Sequence, residues 1–395
     1  MSVGARLRPF AARHADELWL ALLLLVVLAA HLAIASTPRQ ASVFDETYYV
    51  PAAREILLGI VTNVEHPPLA KGLIALSILA FGDQPVAWRL PSIVAGTLAV
   101  LLLYLLTRRM ADRRTALFAA FLLGFESLWF VHASIAMLDI VAVTLGLWAL
   151  LYLVRGEWVW AGAVVGLAML AKETMALLVG VAAIYAWLRG ARDTAWRPAA
   201  RRAGAALFFV GVSAGVVFLA GLQIYDSAFD AFPNAFAHVA RMIAHNRAIS
   251  APAWSDAVHP WQWFSGFRPS PYFVTSTAIS PDLQRVYVQY LGQPNLVILL
   301  LAWLAVPVLL GSGRRRDPAV LLHAAILLVS LAFFSAVALA RITYPYYMLV
   351  AIPSVCVLVA VFLSRFPRPV LVAYGVGVVL WFMAWYPVNL LAYLH

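Results

Sequence analysis

Charged residues and cysteine are both scarce in this chain. Only 12% of its 395 residues are Asp, Glu, Lys or Arg, whereas 64% are hydrophobic. Soluble domains contain about 25% charged residues, so the composition excludes an ordinary water-soluble protein. The single cysteine, Cys356, excludes a disulfide or a multi-cysteine metal site within the chain.

Lysine is nearly absent as well. Of the 28 basic residues only Lys71 and Lys172 are lysine, and the others are arginine. A compact ammonium is not equivalent to a planar guanidinium. A phosphate that binds near either position would be one reason for lysine to occur there. The alternative is that the two lysines occur there by chance. The net charge of +10 does not indicate a nucleic-acid partner, because basic loops between apolar segments more often reflect orientation in a membrane.

Long apolar runs fill most of the chain, which has a mean hydropathy of +0.87. Many of these runs have the length that a transmembrane helix needs. We therefore predict an all-α polytopic membrane protein with about eleven spans, the first being an uncleaved anchor rather than a signal peptide. The predicted spans are 18–36, 89–107, 115–132, 136–154, 158–171, 173–188, 204–222, 293–311, 319–339, 343–363 and 369–388.

The apolar run 72–81 is short for a crossing, and the basic loops indicate how it lies. If it crosses the membrane, the arginine-rich loop 108–114 falls outside when the arginine-rich N-terminus is inside. If it lies along the interface, this loop and the clusters at 189–202 and 314–316 are all on the inner side. Because the positive-inside rule favours the second arrangement, we predict a cytoplasmic N-terminus and an external C-terminus.

This topology gives two extracytoplasmic loops, 37–88 and 223–292, within one membrane domain that spans residues 1–395. Ionisable residues that are costly at membrane depth then gather near one surface, as expected for a surface-facing active site. They include Asp45, Glu46, His66, Lys71, Asp139, Lys172 and Arg341. A transporter would more naturally place such groups near the midplane, and that alternative stays open.

The first loop contains an adjacent pair of acids, Asp45 and Glu46, just before a helical pattern that includes Tyr48. The alternative is a structural role, because acidic residues are favoured at the first turn of a helix. The loop continues to His66-Pro67-Pro68, where two prolines fix the chain direction and would aim His66 and Lys71. We predict that a carboxylate of the pair acts as general base toward an acceptor hydroxyl. A divalent cation is an alternative, although two carboxylates alone make a thin metal site.

Further ionisable residues lie at or within the ends of predicted spans. Asp139 is expected either to form a structural pair with His132 or Lys172, or to take a direct part in the reaction. Lys172 and Arg341 are candidate phosphate ligands, and snorkelling to the interface is the alternative for Arg341. Glu126 is expected to be a buried structural acid.

The second loop contains an amphipathic stretch, 236–249, that is typical of a helix lying on a bilayer. It is followed by the aromatic segment 259–264, with His259, Trp261 and Trp263 as candidate substrate-site residues. These tryptophans are either interface anchors or stacking platforms for a sugar. The sequence does not distinguish the two.

Taken in order, several of these segments resemble the dolichyl- or polyprenyl-phosphate-mannose protein mannosyltransferases, within the wider GT-C superfamily of membrane glycosyltransferases. The acid pair with the His66–Lys71 segment is the most specific part of the resemblance. The matching segments are Phe44–Glu46, His66–Lys71, Arg89–Ser92, Ile135–Asp139, His259–Trp263 and Gly292–Asn295. The chain has Ser134 and Gln293 where the family commonly has Arg and Asn.

The resemblance implies that a sugar, mannose first, moves from a polyprenyl-phosphate carrier to a protein Ser or Thr hydroxyl on the extracytoplasmic side of the cell membrane. It maps the family's acid pair onto Asp45 and Glu46. The lipid bilayer, the lipid-linked donor and a protein or envelope acceptor are then the partners, and no cofactor is firmly implied. Lipid A aminoarabinose transferases have a similar layout, with a lysine where this chain has His66.

The mechanism expected from these residues is direct displacement at the anomeric carbon. Asp45 accepts the proton of the acceptor hydroxyl, and Glu46 positions the acceptor or shares the role. The leaving lipid phosphate is stable as an anion, so no general acid is required, in contrast to glycoside hydrolysis. Cations must stabilise the phosphate oxygens instead, first Lys172 and Arg341 and then His66 and Lys71.

Overall fold

Helices form most of the chain in the computed structural model. It describes residues 15–39, 41–193, 195–248, 259–263, 269–280, 283–313, 317–339 and 341–388. The apolar side chains of nearly all the helices meet in one continuous core, which agrees with the predicted helical class.

The first half of the chain forms the helices that surround the acid pair. In order they are α1 (Ala15–Ile34), α2 (Glu46–Leu57), α3 (Leu69–Phe81), α4 (Pro85–Arg108), α5 (Arg113–Gly124), α6 (Ser127–Ala133), α7 (Leu138–Arg155) and α8 (Trp158–Ala171). Within the predicted loop 37–88, α2 and α3 pack against each other, and α3 also packs against α4. The loop is therefore largely helical, as predicted.

The second half contains further helices and one hairpin. The helices are α9 (Leu177–Asp193), α10 (Trp196–Phe229), α11 (Ala235–Ala248), α12 (Leu296–Gly311), α13 (Pro318–Ala338), α14 (Ile352–Leu363) and α15 (Arg368–Ala384). Short 3₁₀ turns at Glu173–Ala176 and Pro345–Val350 precede α9 and α14. Because α11 covers most of the amphipathic stretch 236–249, the helix predicted there is confirmed.

Six helices within the described residues are long and apolar enough to cross a membrane. A seventh span arises if α5 and α6, which meet at a 64° bend, count as one crossing. Several shorter apolar helices accompany them, including α3, α8 and α12. The protein is therefore a multi-pass membrane protein, and the number of eleven spans stays a prediction.

The loop 223–292 contains two antiparallel strands that the sequence pattern does not predict. Strand β1 (Ser270–Ser280) pairs with β2 (Leu283–Gly292), with Ser270 opposite Gly292. The hairpin is a local departure from the predicted all-α class, which holds for the rest of the described residues. The strands place Tyr290 in the core, where its hydroxyl donates to the carbonyl of Thr37 at 2.7 Å, so the hairpin is anchored to the end of α1.

Glu126 is buried at the bend between α5 and α6, as predicted. Its Oε2 accepts from the backbone N–H of Trp129 at 2.7 Å and caps α6. Its Oε1 accepts from the backbone N–H of Asn295 at 2.7 Å, at the start of α12. A buried carboxylate needs such partners, and here they join the ends of two helices that are distant in sequence.

Candidate active site

Asp45 lies at the start of α2, and its side chain is half-buried. Its carboxylate accepts a hydrogen bond at Oδ2 from the hydroxyl of Tyr49, over 3.4 Å. The preceding residue, Phe44, has a φ of +53°, a left-handed conformation that is uncommon for a bulky residue. Such strain is maintained only where the surrounding structure determines it, and here packing around Phe44 supplies the constraint.

An aromatic cluster holds Phe44 in this conformation. Its ring stacks on Tyr272 with centroids 3.9 Å apart and meets Tyr346 edge-on at 5.4 Å. His132 joins the cluster through its Nε2, 2.9 Å from the Tyr272 hydroxyl. The rings come from the first loop, from α6, from β1 and from the turn before α14, so four separate segments fix the backbone at Asp45.

Glu46, in contrast, is completely buried and fully hydrogen-bonded. Both carboxylate oxygens accept from the guanidinium of Arg89, at 2.8 and 2.9 Å. The backbone N–H groups of Val43 and Ala136 donate to the same carboxylate, at 2.8 and 2.9 Å. This is the environment of a structural ion pair rather than of a base facing a substrate. It also means that the two acids do not offer two free carboxylates to one cation.

Arg89 also connects the acid pair to the end of α1. Its Nη1 donates to the carbonyls of Ala35 and Thr37, at 3.1 and 2.6 Å. Arg89 was not among the site residues predicted from the sequence. Its place at the edge of a predicted span nevertheless indicates a partner or a function, because ionisable residues are costly there. With both partners fully buried, the Glu46–Arg89 pair joins α1, α2, α4 and the segment before α7.

Asp139 and Lys172 form a second buried ion pair. Lys172 Nζ donates to Asp139 Oδ1 at 2.6 Å, which is one of the two pairings expected for Asp139. Nζ also lies 5.4 Å from the ring centroid of Tyr346 and 5.7 Å from that of Tyr347. An ammonium has three donors and only one is used by Asp139, so Lys172 retains hydrogen-bonding capacity.

Arg341 also lies close to the ring of Tyr347. Its guanidinium carbon is 5.8 Å from that ring centroid, and its nitrogens donate to the Tyr347 hydroxyl and to the side chain of Asn246. Its Nε has no partner among the described residues. Arg341 lines a cavity of about 350 Å³ whose walls include Phe218 and Phe333. A cation therefore borders a mainly apolar space.

Lys71 is buried, and its ammonium is fully engaged inside the first loop. Nζ donates to the carbonyl of His66 at 2.8 Å and to the carbonyl and side-chain oxygens of Asn63. Three acceptors match its three donors. The structure thus gives Lys71 the task of fixing the turn before His66, and leaves no free donor for the phosphate contact expected from sequence.

His66 lies beside the cavity that Arg341 lines. Its Nδ1 is 3.6 Å from Oε2 of Glu173, and its ring meets Tyr49 edge-on at 5.9 Å between centroids. Glu173 lines that cavity. His66 is therefore near both Asp45, through Tyr49, and the cavity.

The remaining predicted site residues differ in their exposure. Tyr48 is 64% exposed, and Trp261 is 57% exposed with its ring stacked on His259. Trp263 is only 2% exposed and packs edge-on against Phe334. Trp263 is consequently a core residue that supports the cavity wall, and it presents no open face for stacking on a sugar.

The charge state of Asp45 depends on its neighbours. Burial raises the pKa of Asp45 to about 6, and the charge of Asp139 adds to this effect. The positive charges of Lys172 and His66 and the hydrogen bond from Tyr49 act in the opposite direction. A general base is most effective when its pKa is near the working pH, because it is then largely deprotonated and still binds a proton well. Among the described residues, no group of three or more His, Cys, Asp and Glu side chains is arranged so that it could hold a metal ion.

Residues 65–218 match the family model for dolichyl-phosphate-mannose-protein mannosyltransferases. A polyprenol-phosphate-mannose–protein mannosyltransferase of Corynebacterium glutamicum is 35% identical over 126 residues, which is 28% of this chain and 24% of the relative. The enzyme of the same name from Mycobacterium tuberculosis is 33% identical over 105 residues, 25% of this chain and 20% of the relative. The alignments thus span about a quarter of the length of these curated relatives.

Solved structures resemble the chain over nearly its whole length. The Saccharomyces cerevisiae protein O-mannosyltransferase Pmt1-Pmt2 complex, bound to the sugar donor, covers 94% of this chain and 90% of its own with a TM-score of 0.73 and 12% identity. ArnT from Cupriavidus metallidurans, bound to undecaprenyl phosphate, covers 92% and 63% with a TM-score of 0.60 and 19% identity. At these identities the likeness establishes the fold. The chain thus shares the fold of these membrane proteins, and its residues 65–218 are similar in sequence to the dolichyl-phosphate-mannose-protein mannosyltransferase family.

Proposed function

We propose that this protein is an inverting glycosyltransferase that moves mannose from a polyprenyl phosphate to a Ser or Thr hydroxyl of a protein. The observation that carries the proposal is the environment of Asp45, a half-buried carboxylate with a pKa of about 6. It lies near the Lys172–Tyr347–Arg341 group, which has unused donors. The family of residues 65–218 and the predicted topology support a site on the extracytoplasmic side of the plasma membrane.

In the proposed reaction Asp45 takes the proton as the acceptor oxygen attacks the anomeric carbon. The bond to the carrier phosphate breaks, and the polyprenyl phosphate leaves with the bonding electrons. Lys172 and the free Nε of Arg341 stabilise the charge that develops on the phosphate oxygens. The cavity beside Arg341 and its apolar walls accommodate the first part of the lipid chain.

Glu46 has a positioning role in this proposal. Its carboxylate fixes Arg89, Val43 and Ala136, and so determines where the backbone of Asp45 lies. Lys71 acts similarly on the loop that bears His66. His66, paired with Glu173, is a secondary candidate for the donor phosphate.

The experiment that tests this function is transfer by the purified protein in liposomes that contain polyprenyl-phosphate-[14C]mannose. Peptides rich in Ser and Thr and, separately, envelope lipids are the acceptors. We expect label on Ser or Thr of the peptide. Label on lipid alone would identify an ArnT-like acceptor class, and movement of intact donor across the bilayer without bond cleavage would contradict the transferase proposal.

The pH dependence of transfer should follow the carboxyl group of Asp45. Because its pKa is raised to about 6, the base is ionised above that pH and protonated below it. We expect kcat/KM to be constant above pH 7 and to fall about tenfold per pH unit well below pH 6. A profile that is flat down to pH 4.5, with intact protein, would exclude Asp45 as the base.

Substitution of Arg341 should weaken donor binding more than it changes the chemical step. For Arg341→Ala we expect about tenfold lower affinity for the donor, because the variant loses one charge-assisted hydrogen bond to the phosphate. Affinity is measured by competition with unlabelled polyprenyl phosphate in the transfer assay. Arg365→Ala is the matched control, because Arg365 is exposed and bonds Ser312 instead. Equal affinities for wild type and Arg341→Ala would remove Arg341 from the phosphate site.

A further inference from the structure

Apart from the cavity beside Arg341, an apolar groove runs along the outside of the bundle between α5 and α15, with a volume of about 590 Å³. Its walls are side chains at helical spacing, namely Leu117, Phe118 and Phe121 on α5 and Leu371, Val372, Gly375, Val376, Val379 and Leu380 on α15. Val372 and Leu380 are each 65% exposed. Within the described part of the chain, therefore, no segment covers this groove.

Two arginines lie at one end of the groove. Arg114 is the second residue of α5 and Arg368 is the first residue of α15, and both line the groove. Both are exposed, and the structure gives neither guanidinium a hydrogen bond or an ion pair with another described side chain. Both helices begin at this end, so their N-terminal dipoles add to the positive potential.

This charged end is on the opposite side of the bundle from the candidate active site. Helix α4 joins the two regions, since Arg89 near its start binds Glu46 and its last residue, Arg108, is close in sequence to α5. Its 24 residues extend about 36 Å at 1.5 Å per residue. The groove is consequently separate from the cavity beside Arg341.

The length of the groove corresponds to one leaflet of a bilayer. From Arg368 to Leu380 the helix rises about 18 Å, and half of a hydrocarbon core of about 30 Å is about 15 Å. The absence of a side chain at Gly375 deepens the groove, because a Cβ there would lie 3.4 Å from the ring of Phe121. An acyl chain can thus lie between the two helices while its headgroup reaches the arginines.

We propose that this groove binds an anionic glycerophospholipid from the leaflet opposite to the active site. Its phosphate lies against Arg114 and Arg368, and one acyl chain lies along α15. Charge complementarity identifies the headgroup, because basic pockets between membrane helices select anionic lipids. The bound lipid joins α5 to α15, so it also stabilises the folded protein in proportion to its occupancy.

Lipid binding to the full-length protein tests this proposal. Native mass spectrometry measures bound lipid during titration with dioleoylphosphatidylglycerol, dioleoylphosphatidylcholine or undecaprenyl phosphate. We expect tighter binding of phosphatidylglycerol by the wild type. The R114Q/R368Q variant should bind it about 25-fold more weakly, because each lost arginine costs about a factor of five. R108Q/R109Q, which removes two exposed arginines outside the groove, should change binding less than threefold.

A second variant tests the apolar part of the groove without any change of charge. Val376→Phe narrows the acyl channel and should weaken phosphatidylglycerol binding at least fivefold, while thermal unfolding in detergent reports that the variant is folded. The proposal is overturned if R114Q/R368Q binds phosphatidylglycerol like the wild type or if R108Q/R109Q loses as much affinity. Equal binding of the two lipids, or much tighter binding of undecaprenyl phosphate, would also overturn it.

Discussion

Asp45→Asn should reduce transfer by about 10²–10⁴-fold, the contribution expected of a general base. The amide has nearly the same shape as the carboxyl group but cannot accept the proton of the acceptor hydroxyl at neutral pH. Because Asp45 is half-buried and makes one long hydrogen bond, from Tyr49 at 3.4 Å, we expect donor affinity and thermal stability to be unchanged. Initial rates in liposomes with polyprenyl-phosphate mannose measure the effect.

The matched control is Asp83→Asn in the same loop. Asp83 is an exposed acid that pairs with Arg54 at 2.8 Å, and the side chains are 42% and 46% exposed. Exposed pairs contribute at most about 1 kcal/mol, so this variant should retain transfer within about twofold. If Asp45→Asn were as active as Asp83→Asn, the proposed base would be wrong, whatever the other residues do.

Glu46→Gln should destabilise the protein by about 3–5 kcal/mol, because it leaves the guanidinium of Arg89 buried without a counter-charge. Both side chains of the pair are 0% exposed, and the pair joins segments that are far apart in the chain. Transfer should fall as well, because the strained backbone at Phe44 and Asp45 is then less well fixed. Unfolding in detergent micelles, with helix content followed against temperature and denaturant, measures the stability.

The comparison with the exposed pair separates a structural role from a chemical one. Arg54→Gln removes one partner of a similar carboxylate–guanidinium pair in the same loop, and should cost about 1 kcal/mol or less. The positioning role also predicts that the acid limb of the pH profile of Glu46→Gln stays near pH 6, because Asp45 remains the titrating group. Loss of transfer with unchanged stability would instead assign Glu46 a direct part in the reaction.

Much of the helical architecture could be predicted from the sequence, because apolar run length and proline or polar breaks act locally. The run 158–171 coincides with α8, and the predicted span 319–339 differs from α13 by one residue at each end. The break at Lys172 was visible because a lysine and a glutamate interrupt an apolar stretch. The two strands were not visible, since pairing between β1 and β2 depends on tertiary contacts more than on local preference.

By itself, the sequence determined that this is a membrane protein and that its ionisable groups are concentrated in a few segments, including the acid pair Asp45–Glu46. Only the tertiary structure decided which of the two acids is buried and which stays accessible. Adjacent residues at a helix start point about 100° apart, so one can enter the core while the other stays accessible. Arg89, 43 positions away from Glu46, and Tyr272 from the hairpin settle the arrangement, because they hold Glu46 in the core and Phe44 in its strained conformation.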